Sequence, residues 1–163
     1  MELKRCFDPV VDERTRLLVL GSLPGDKSLA VQEYYGNRQN KFWELLGAVI
    51  GADLRAMTYN ARLATLLEHG IGLWDVIAEA KRPGSLDAAI SDASHNALTE
   101  FVATLPQLRA VAFNGGTAAR LGRKQLGADA GAIQLIDLPS SSPAHTIGLD
   151  VKLAVWRQLG QFC

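Results

Sequence analysis

Two features of the sequence predict an α/β chain whose short, mainly parallel sheet is covered on both sides. Three runs, Leu17–Leu20, Ala110–Phe113 and Ile133–Leu138, are apolar at almost every position, which suits strands buried on both faces. The stretches between them carry apolar residues at helical spacing, and strands alternating with helices build a sheet layered with helices. With 163 residues, 48% of them apolar, the chain fits one domain spanning 1–163, large enough to bury roughly two thirds of its unfolded surface.

In chain order, the Leu17–Leu20 strand is followed by a loop, Gly21-Ser22-Leu23-Pro24-Gly25. In open α/β sheets ligands bind beyond the carboxyl ends of strands, and a glycine-containing turn lets backbone N–H groups approach them closely. Phe42, Trp43, Leu45, Leu46, Val49 and Ile50 mark a helix, and Leu63, Leu66 and Leu67 a second, from about Asn60 to Glu68, stopped by Gly70. Ile71–Ile77 reads as a short strand or an extended turn. Lys81–Ser94, with Pro83, Gly84 and several Ser and Asp residues, reads as a surface connection with one helical turn. Leu98, Phe101, Val102 and Leu105 mark a helix closed by Pro106. The Ala110–Phe113 strand ends at Asn114-Gly115-Gly116 and is followed by a helix through about Leu126 and a Gly- and Ala-rich turn through about Gly131. The last strand delivers Pro139-Ser140-Ser141-Ser142-Pro143-Ala144-His145, and a final helix carries Val151, Val155, Trp156, Leu159 and Phe162.

Charge and cysteine content narrow the function classes. Seventeen basic residues balance seventeen acidic ones, so the global field does not mark a strongly basic nucleic-acid binder, and local patches such as Arg38 with Lys41, or Arg120, Arg123 and Lys124, read first as solvated faces. Cys6 and Cys163 are too few and too far apart in sequence for a disulfide framework or a zinc site of the usual spacing. No signal core or membrane span is apparent, so a cytoplasmic protein is expected.

The chemistry-bearing residues lie in three strand-end loops. The first continues from GSLPG into YYGNRQNKFW, which packs two tyrosines, two asparagines and a Phe-Trp pair into ten residues of a chain only 7% aromatic. The second holds Asn114 and the third LPSSSPAH. This ordered set resembles the uracil-DNA glycosylase superfamily and, within it, the hypoxanthine-DNA glycosylase branch, which acts on deoxyinosine; IGLWDVI and VAFNG fall where that family has similar segments.

The resemblance implies a three-layer αβα sandwich, a base flipped out of DNA into a pocket at the strand ends, and hydrolysis of the N-glycosidic bond by water, with no cofactor and no metal. It implies DNA containing deaminated bases as the partner, with no protein partner called for and a monomer expected. Where several branches have Asp or Asn after the first Gly and one residue, this chain has Leu23, which can neither activate nor position water. The polar work then falls to Asn40 in Asn-Lys-Phe-Trp, supported by Asn114. Where the branch commonly has His-Pro, this chain has Asn37-Arg38.

Physical chemistry makes these residue types apt. Breaking a glycosidic bond builds positive charge on the sugar and negative charge on the departing base, so donors aimed at the base favour the transition state. An Asn side chain offers two N–H donors and a carbonyl acceptor. Asn40 is assigned to water positioning and Asn114 to base contact, with the two roles open to exchange; a purely structural Asn40 would cap the helix beginning at Lys41-Phe42-Trp43. Tyr35 is assigned as the stacking platform for the base, Tyr34 as a core tyrosine, and Phe42 and Trp43 as core. Gly21, Ser22, Leu23, Pro24 and Gly25 shape the substrate pocket. On resemblance, His145 donates to the departing base, and Pro139, Ser140, Ser141, Ser142 and Pro143, a loop framed by two prolines, contact DNA. Ser28 caps a short helix or touches a phosphate. His69 and His95 read as surface or capping residues.

Two other classes fit the sequence less well. A serine hydrolase built on Ser140–Ser142 and His145 lacks a G-x-S-x-G elbow, and triad members meet in space rather than along four residues. A non-catalytic nucleotide-binding module lacks both a P-loop and a G-x-G-x-x-G fingerprint. No lysine accompanies the motif residues in a position that suggests a Schiff base, so a monofunctional enzyme that uses water is expected.

Overall fold

The computed structural model describes residues 3–127 and 131–163. Its strands are β1 (Leu3–Arg5), β2 (Leu17–Gly21), β3 (Ile71–Asp75), β4 (Ile77–Lys81), β5 (Ser91–His95), β6 (Ala110–Asn114) and β7 (Gln134–Leu138), and its α-helices are α1 (Asp26–Val31), α2 (Phe42–Ile50), α3 (Tyr59–Glu68), α4 (Leu98–Val102), α5 (Gly116–Leu126) and α6 (Leu149–Trp156). The central sheet has the order β3-β2-β6-β7 and is parallel throughout. In β2 every residue is buried, as a strand covered by helices on both faces requires.

Alternation along β2 divides the core. Leu17 and Val19 face a cluster with Phe42, Trp43, Leu45, Leu46, Leu66 and Trp156, supplied by α2, α3 and α6. Leu18 and Leu20 face Leu98, Val102, Phe113, Ala118 and Leu126, supplied largely by α4 and α5. The sheet therefore sits between two helical layers. Phe42, Trp43 and Trp156 have no exposed surface, and the Phe42 ring meets Trp43 and Trp156 edge-on at 5.0 and 5.8 Å. A buried side chain of this size contributes roughly 1.5–3 kcal/mol, so α2 is anchored through its aromatic start.

Several expectations need correction. Ile71–Ile77 holds the end-to-end junction of two strands, with β3 in the parallel sheet and β4 in a second, antiparallel sheet of order β1-β4-β5. The 81–94 segment has the one helical turn expected of it, a 3-10 turn at Asp87–Ala89, but it also carries most of β5. Its β5 residues are all exposed, which is why no apolar pattern announced the strand. His95 ends β5 and is exposed, the surface position expected of it. In α6, Trp156 is buried but Val151 is 52% exposed, and Leu159 and Phe162 lie on a following 3-10 turn, Arg157–Phe162. The expected Gly- and Ala-rich turn falls largely on residues 128–130, outside the described residues.

Candidate active site

The carboxyl ends of β3, β2, β6 and β7 open into one cavity of about 410 Å³, a volume in the range of small-molecule pockets. Its walls bring together Gly21 to Gly25, Ser28, Tyr35, Asn40, Asn114, Ser140 to Pro143 and His145. Three distant loops are thus one site. Of the residues assigned from sequence, Pro139 alone is not on the lining; its carbonyl accepts from Trp156 Nε1 at 3.0 Å and ties the loop to α6.

Asn114 ends β6 and is 9% exposed. Its Nδ2 donates to Ser141 Oγ at 2.9 Å and to the Tyr35 hydroxyl at 3.3 Å, while its Oδ1 accepts from Ser141 N at 2.9 Å. Both donors and the carbonyl are therefore engaged within the protein. Next to it Gly115 has φ +100°, and a Cβ there would lie 3.1 Å from Ser140 Cβ, so the turn after β6 and the serine loop pack backbone against backbone. Ser141 itself is 1% exposed, and its carbonyl accepts from Lys41 N at 3.0 Å. Ser140 Oγ and Ser142 Oγ accept from Ser142 N and Ala144 N. Lys152, buried on α6, donates to Ser142 O at 3.2 Å, and burial lowers its pKa. The loop is rigid at its base and exposed from Pro143 onward.

Asn40 sits at the start of α2. Its Oδ1 accepts from Phe42 N, two residues on, at 3.0 Å, and its main-chain carbonyl accepts from Arg55 Nη2 at 2.9 Å; the N-cap of α2 is Lys41, so Asn40 is not the expected cap. Arg55 in turn grips Glu44 with Nε–Oε1 at 3.0 Å and Nη2–Oε2 at 2.8 Å. The side chain is oriented by the bond to Phe42 N, the residue lines the cavity, and an amide keeps two N–H donors and a second carbonyl lone pair beyond that bond.

Tyr35 has φ +54°. One face of its ring is stacked on Phe42 at 3.8 Å and 7°, and Trp43 Nε1 donates to its carbonyl at 3.2 Å. With its hydroxyl held by Asn114 the ring is fixed at both ends. Burial, then the charge of Asp75, raise its pKa, so the hydroxyl is neutral at physiological pH. Tyr34 is a core tyrosine, 4% exposed, donating to Asp8 O at 2.8 Å. His145 is exposed at the rim, its backbone N–H bonded to Ser142 O. Ser28 is 6% exposed and accepts from Gly36 N at 2.8 Å, so its oxygen holds the loop into Tyr35. Leu23 is buried against Ile77 and Ala80.

Sequence reading missed four residues. Asp75 ends β3 directly beside Gly21 in the parallel register, lines the cavity and is 4% exposed. A Cβ on Gly21 would meet Asp75 Oδ1 at 2.7 Å and the Tyr35 hydroxyl at 3.0 Å, so glycine at 21 makes room for both. Burial, then the charge of Asp87, push the Asp75 pKa up to about 7, against the pull of Arg82. Asp87 lines the same cavity, accepting from Ser22 Oγ at 2.7 Å and from Arg82 Nη1 at 3.2 Å. Arg82, 1% exposed, also donates to Pro24 O. Lys27 lines the exposed side. The lone acid ending the apolar run of IGLWD was a usable signal; nothing local marked Asp87 or Arg82. Among the described residues no group of three or more His, Cys, Asp or Glu could hold a metal ion, and no helix is long and apolar enough to cross a membrane.

A parallel sheet in two helical layers, with amide, hydroxyl, aromatic and carboxyl groups converging at its strand ends and a base-sized cavity between them, is the setting of an enzyme acting on a heterocyclic base. The chain belongs to the uracil DNA glycosylase superfamily, whose model matches residues 9–160, and it is a DNA glycosylase. It is 46% identical to a hypoxanthine DNA glycosylase of Methanosarcina barkeri over 69% of this chain and 71% of that protein. A protein of the same description from Methanosarcina acetivorans is likewise 46% identical, over 69% and 72%. The solution NMR structure of a candidate uracil DNA glycosylase from Methanosarcina acetivorans superposes with a TM-score of 0.87 at 39% identity, covering 98% of both chains. The expected sandwich around a parallel sheet is borne out.

Proposed function

We propose that this chain is a single-domain, monofunctional glycosylase, spanning 1–163, that removes hypoxanthine from DNA using water as the nucleophile. The observation that carries the substrate is the 46% identity to two hypoxanthine DNA glycosylases. The partly polar cavity at the strand ends supports it. In this reading the target nucleotide is flipped out and its base enters the cavity, at an extrusion cost of a few kcal/mol. Stacking on Tyr35, worth roughly 1–3 kcal/mol per base by analogy with other aromatic platforms, offsets much of it. The ring's support by Phe42 makes that platform rigid.

Asn40 holds the attacking water with its carbonyl, in the orientation its bond to Phe42 N sets. His145, at the rim, donates towards the base or sugar. Asn114 acts through others, fixing Tyr35 and Ser141, since its own donors are engaged. Ser22 and the backbone of Gly21 to Gly25 border the base, with Leu23 as apolar backing. Segment 143–149 lies against the DNA, with Ile147 and Leu149, 41% and 43% exposed, available to fill the gap left by the flipped nucleotide; Ser140 and Ser142 retain hydroxyl donors for phosphate. In this reading the enzyme acts as a cytoplasmic monomer. Release of free base from inosine-, xanthine- and uracil-containing duplexes tests the proposal, with inosine expected to react fastest.

A further inference from the structure

We propose that Asp75 is the residue that pairs with the lactam edge, the N–H beside a C=O, of the extruded base. The inference rests on the glycosylase reading and adds a contact that the sequence motifs did not contain. Asn40 is partly exposed and His145 fully exposed, so both stand nearer the mouth, where the sugar and water lie. Asp75 lines the same cavity at 4% exposure, which puts its carboxyl at the floor, where the base arrives. Among the described residues its Oδ2 has no hydrogen-bond partner. A buried carboxyl oxygen without a partner is costly; this one has almost no accessible surface of its own, and a turn of the carboxyl about its Cβ–Cγ bond brings it to the cavity, where a ligand supplies the partner and removes that cost.

The chemistry selects the ligand. A neutral carboxyl offers one O–H donor beside one carbonyl acceptor, the complement of a lactam's C=O beside N–H. Hypoxanthine, xanthine and uracil all carry that edge. Burial and Asp87 keep much of Asp75 in the neutral form near pH 7, against Arg82; the other titratable groups coupled to it are Tyr34, Tyr35 and Cys6. When the C1′–N9 bond of deoxyinosine breaks, its electron pair leaves with the base and spreads onto the lactam oxygen, so the Asp75 O–H bond to that oxygen strengthens in the transition state. Water gives hydroxide to C1′, and its remaining proton ends on the departing base. No proton need leave Asp75.

The test is single-turnover cleavage of an inosine-containing duplex from pH 5.5 to 8.5 by wild type, Asp75→Ala and Asp75→Asn. Asparagine presents a carbonyl beside N–H donors and cannot ionise. Asp75→Ala should be at least about 100-fold slower at pH 6 while binding an abasic-site duplex within about threefold of wild type. Asp75→Asn should recover at least about tenfold over Asp75→Ala and should lack the decline that wild type shows as pH rises above about 7. The proposal is overturned if Asp75→Ala cleaves within threefold of wild type, if Asp75→Asn is no faster than Asp75→Ala, or if Asp75→Asn and wild type share one pH profile. Should wild type release no base from any duplex, the glycosylase reading fails by itself, and NMR titration with free hypoxanthine decides the Asp75 pairing: shifts at Gly21 and Tyr35 that vanish in Asp75→Ala support it, and equal shifts in both proteins overturn it.

Discussion

Asn114 and Ser141 exchange two hydrogen bonds of 2.9 Å, one from Asn114 Nδ2 to Ser141 Oγ and one from Ser141 N to Asn114 Oδ1. This reciprocal pair joins the end of β6 to the loop after β7, and through the Tyr35 hydroxyl it reaches the first loop as well. One amide side chain thus sets the relative position of three cavity walls.

Asn114→Ala therefore leaves the buried Ser141 N–H without its partner, which costs about 1–3 kcal/mol. Urea unfolding should show that loss. Base release should fall with it, because Tyr35 and the serine loop lose their common anchor. Unchanged stability together with lost activity would instead point to direct contact between Asn114 and the base.

Asn40→Ala removes both the proposed water-holding carbonyl and a helix-start contact. The bond to Phe42 N accounts for about 1 kcal/mol of stability, too little to unfold the protein. Single-turnover cleavage should fall by about 100-fold or more, the usual scale for losing one positioned polar group at a reacting centre. Affinity for an abasic-site duplex should stay within a few-fold. Full turnover in this variant removes Asn40 from the mechanism.

The raised pKa of Asp75 has a consequence for stability. The folded protein holds the proton up to about pH 7, whereas the unfolded chain releases it near the ordinary aspartate value of about 3.9. Between those values the native state binds the extra proton, so this group makes stability fall as pH rises from about 4 to 7 and leaves the deficit in place above 7. Asp75→Asn, which cannot ionise, should unfold at a higher urea concentration than wild type at pH 8, by an amount on the order of a few kcal/mol at about 1.4 kcal/mol per pKa unit. The gap should shrink towards pH 4. A gap of constant size across that range would show that ionisation is not its source.

Lys27 is the lysine on the cavity lining, and it lies on its exposed side. Attack by water rather than by an amine predicts that borohydride added during turnover traps no covalent protein–DNA adduct. A trapped adduct that disappears in Lys27→Ala would replace water with a Schiff-base mechanism.

The two inner strands of the central sheet were legible because β2 and β6 are buried throughout and so are apolar at almost every position, whereas β3 could be read as strand or turn and the edge strand β7 has exposed polar positions. The antiparallel sheet was not, because β5 is exposed along its length and β4 mixes buried with half-buried residues. Motif residues such as Asn40, Asn114 and Tyr35 could be placed in one site because each follows a strand end or sits in a dense polar-aromatic loop. Their individual duties depended on partners far away in sequence: Asn114 is engaged by residues at positions 35 and 141, and Asp75 gains its character from Gly21, Asp87 and burial. No local pattern carries that information.

The most direct measurement is release of free base from otherwise identical duplexes containing deoxyinosine, deoxyxanthosine, deoxyuridine or deoxyadenosine, followed by alkaline cleavage at the abasic site. Deoxyinosine should yield a strand break and free hypoxanthine at the highest single-turnover rate, with deoxyadenosine inert. No base released from any of the four would contradict the glycosylase account at its root.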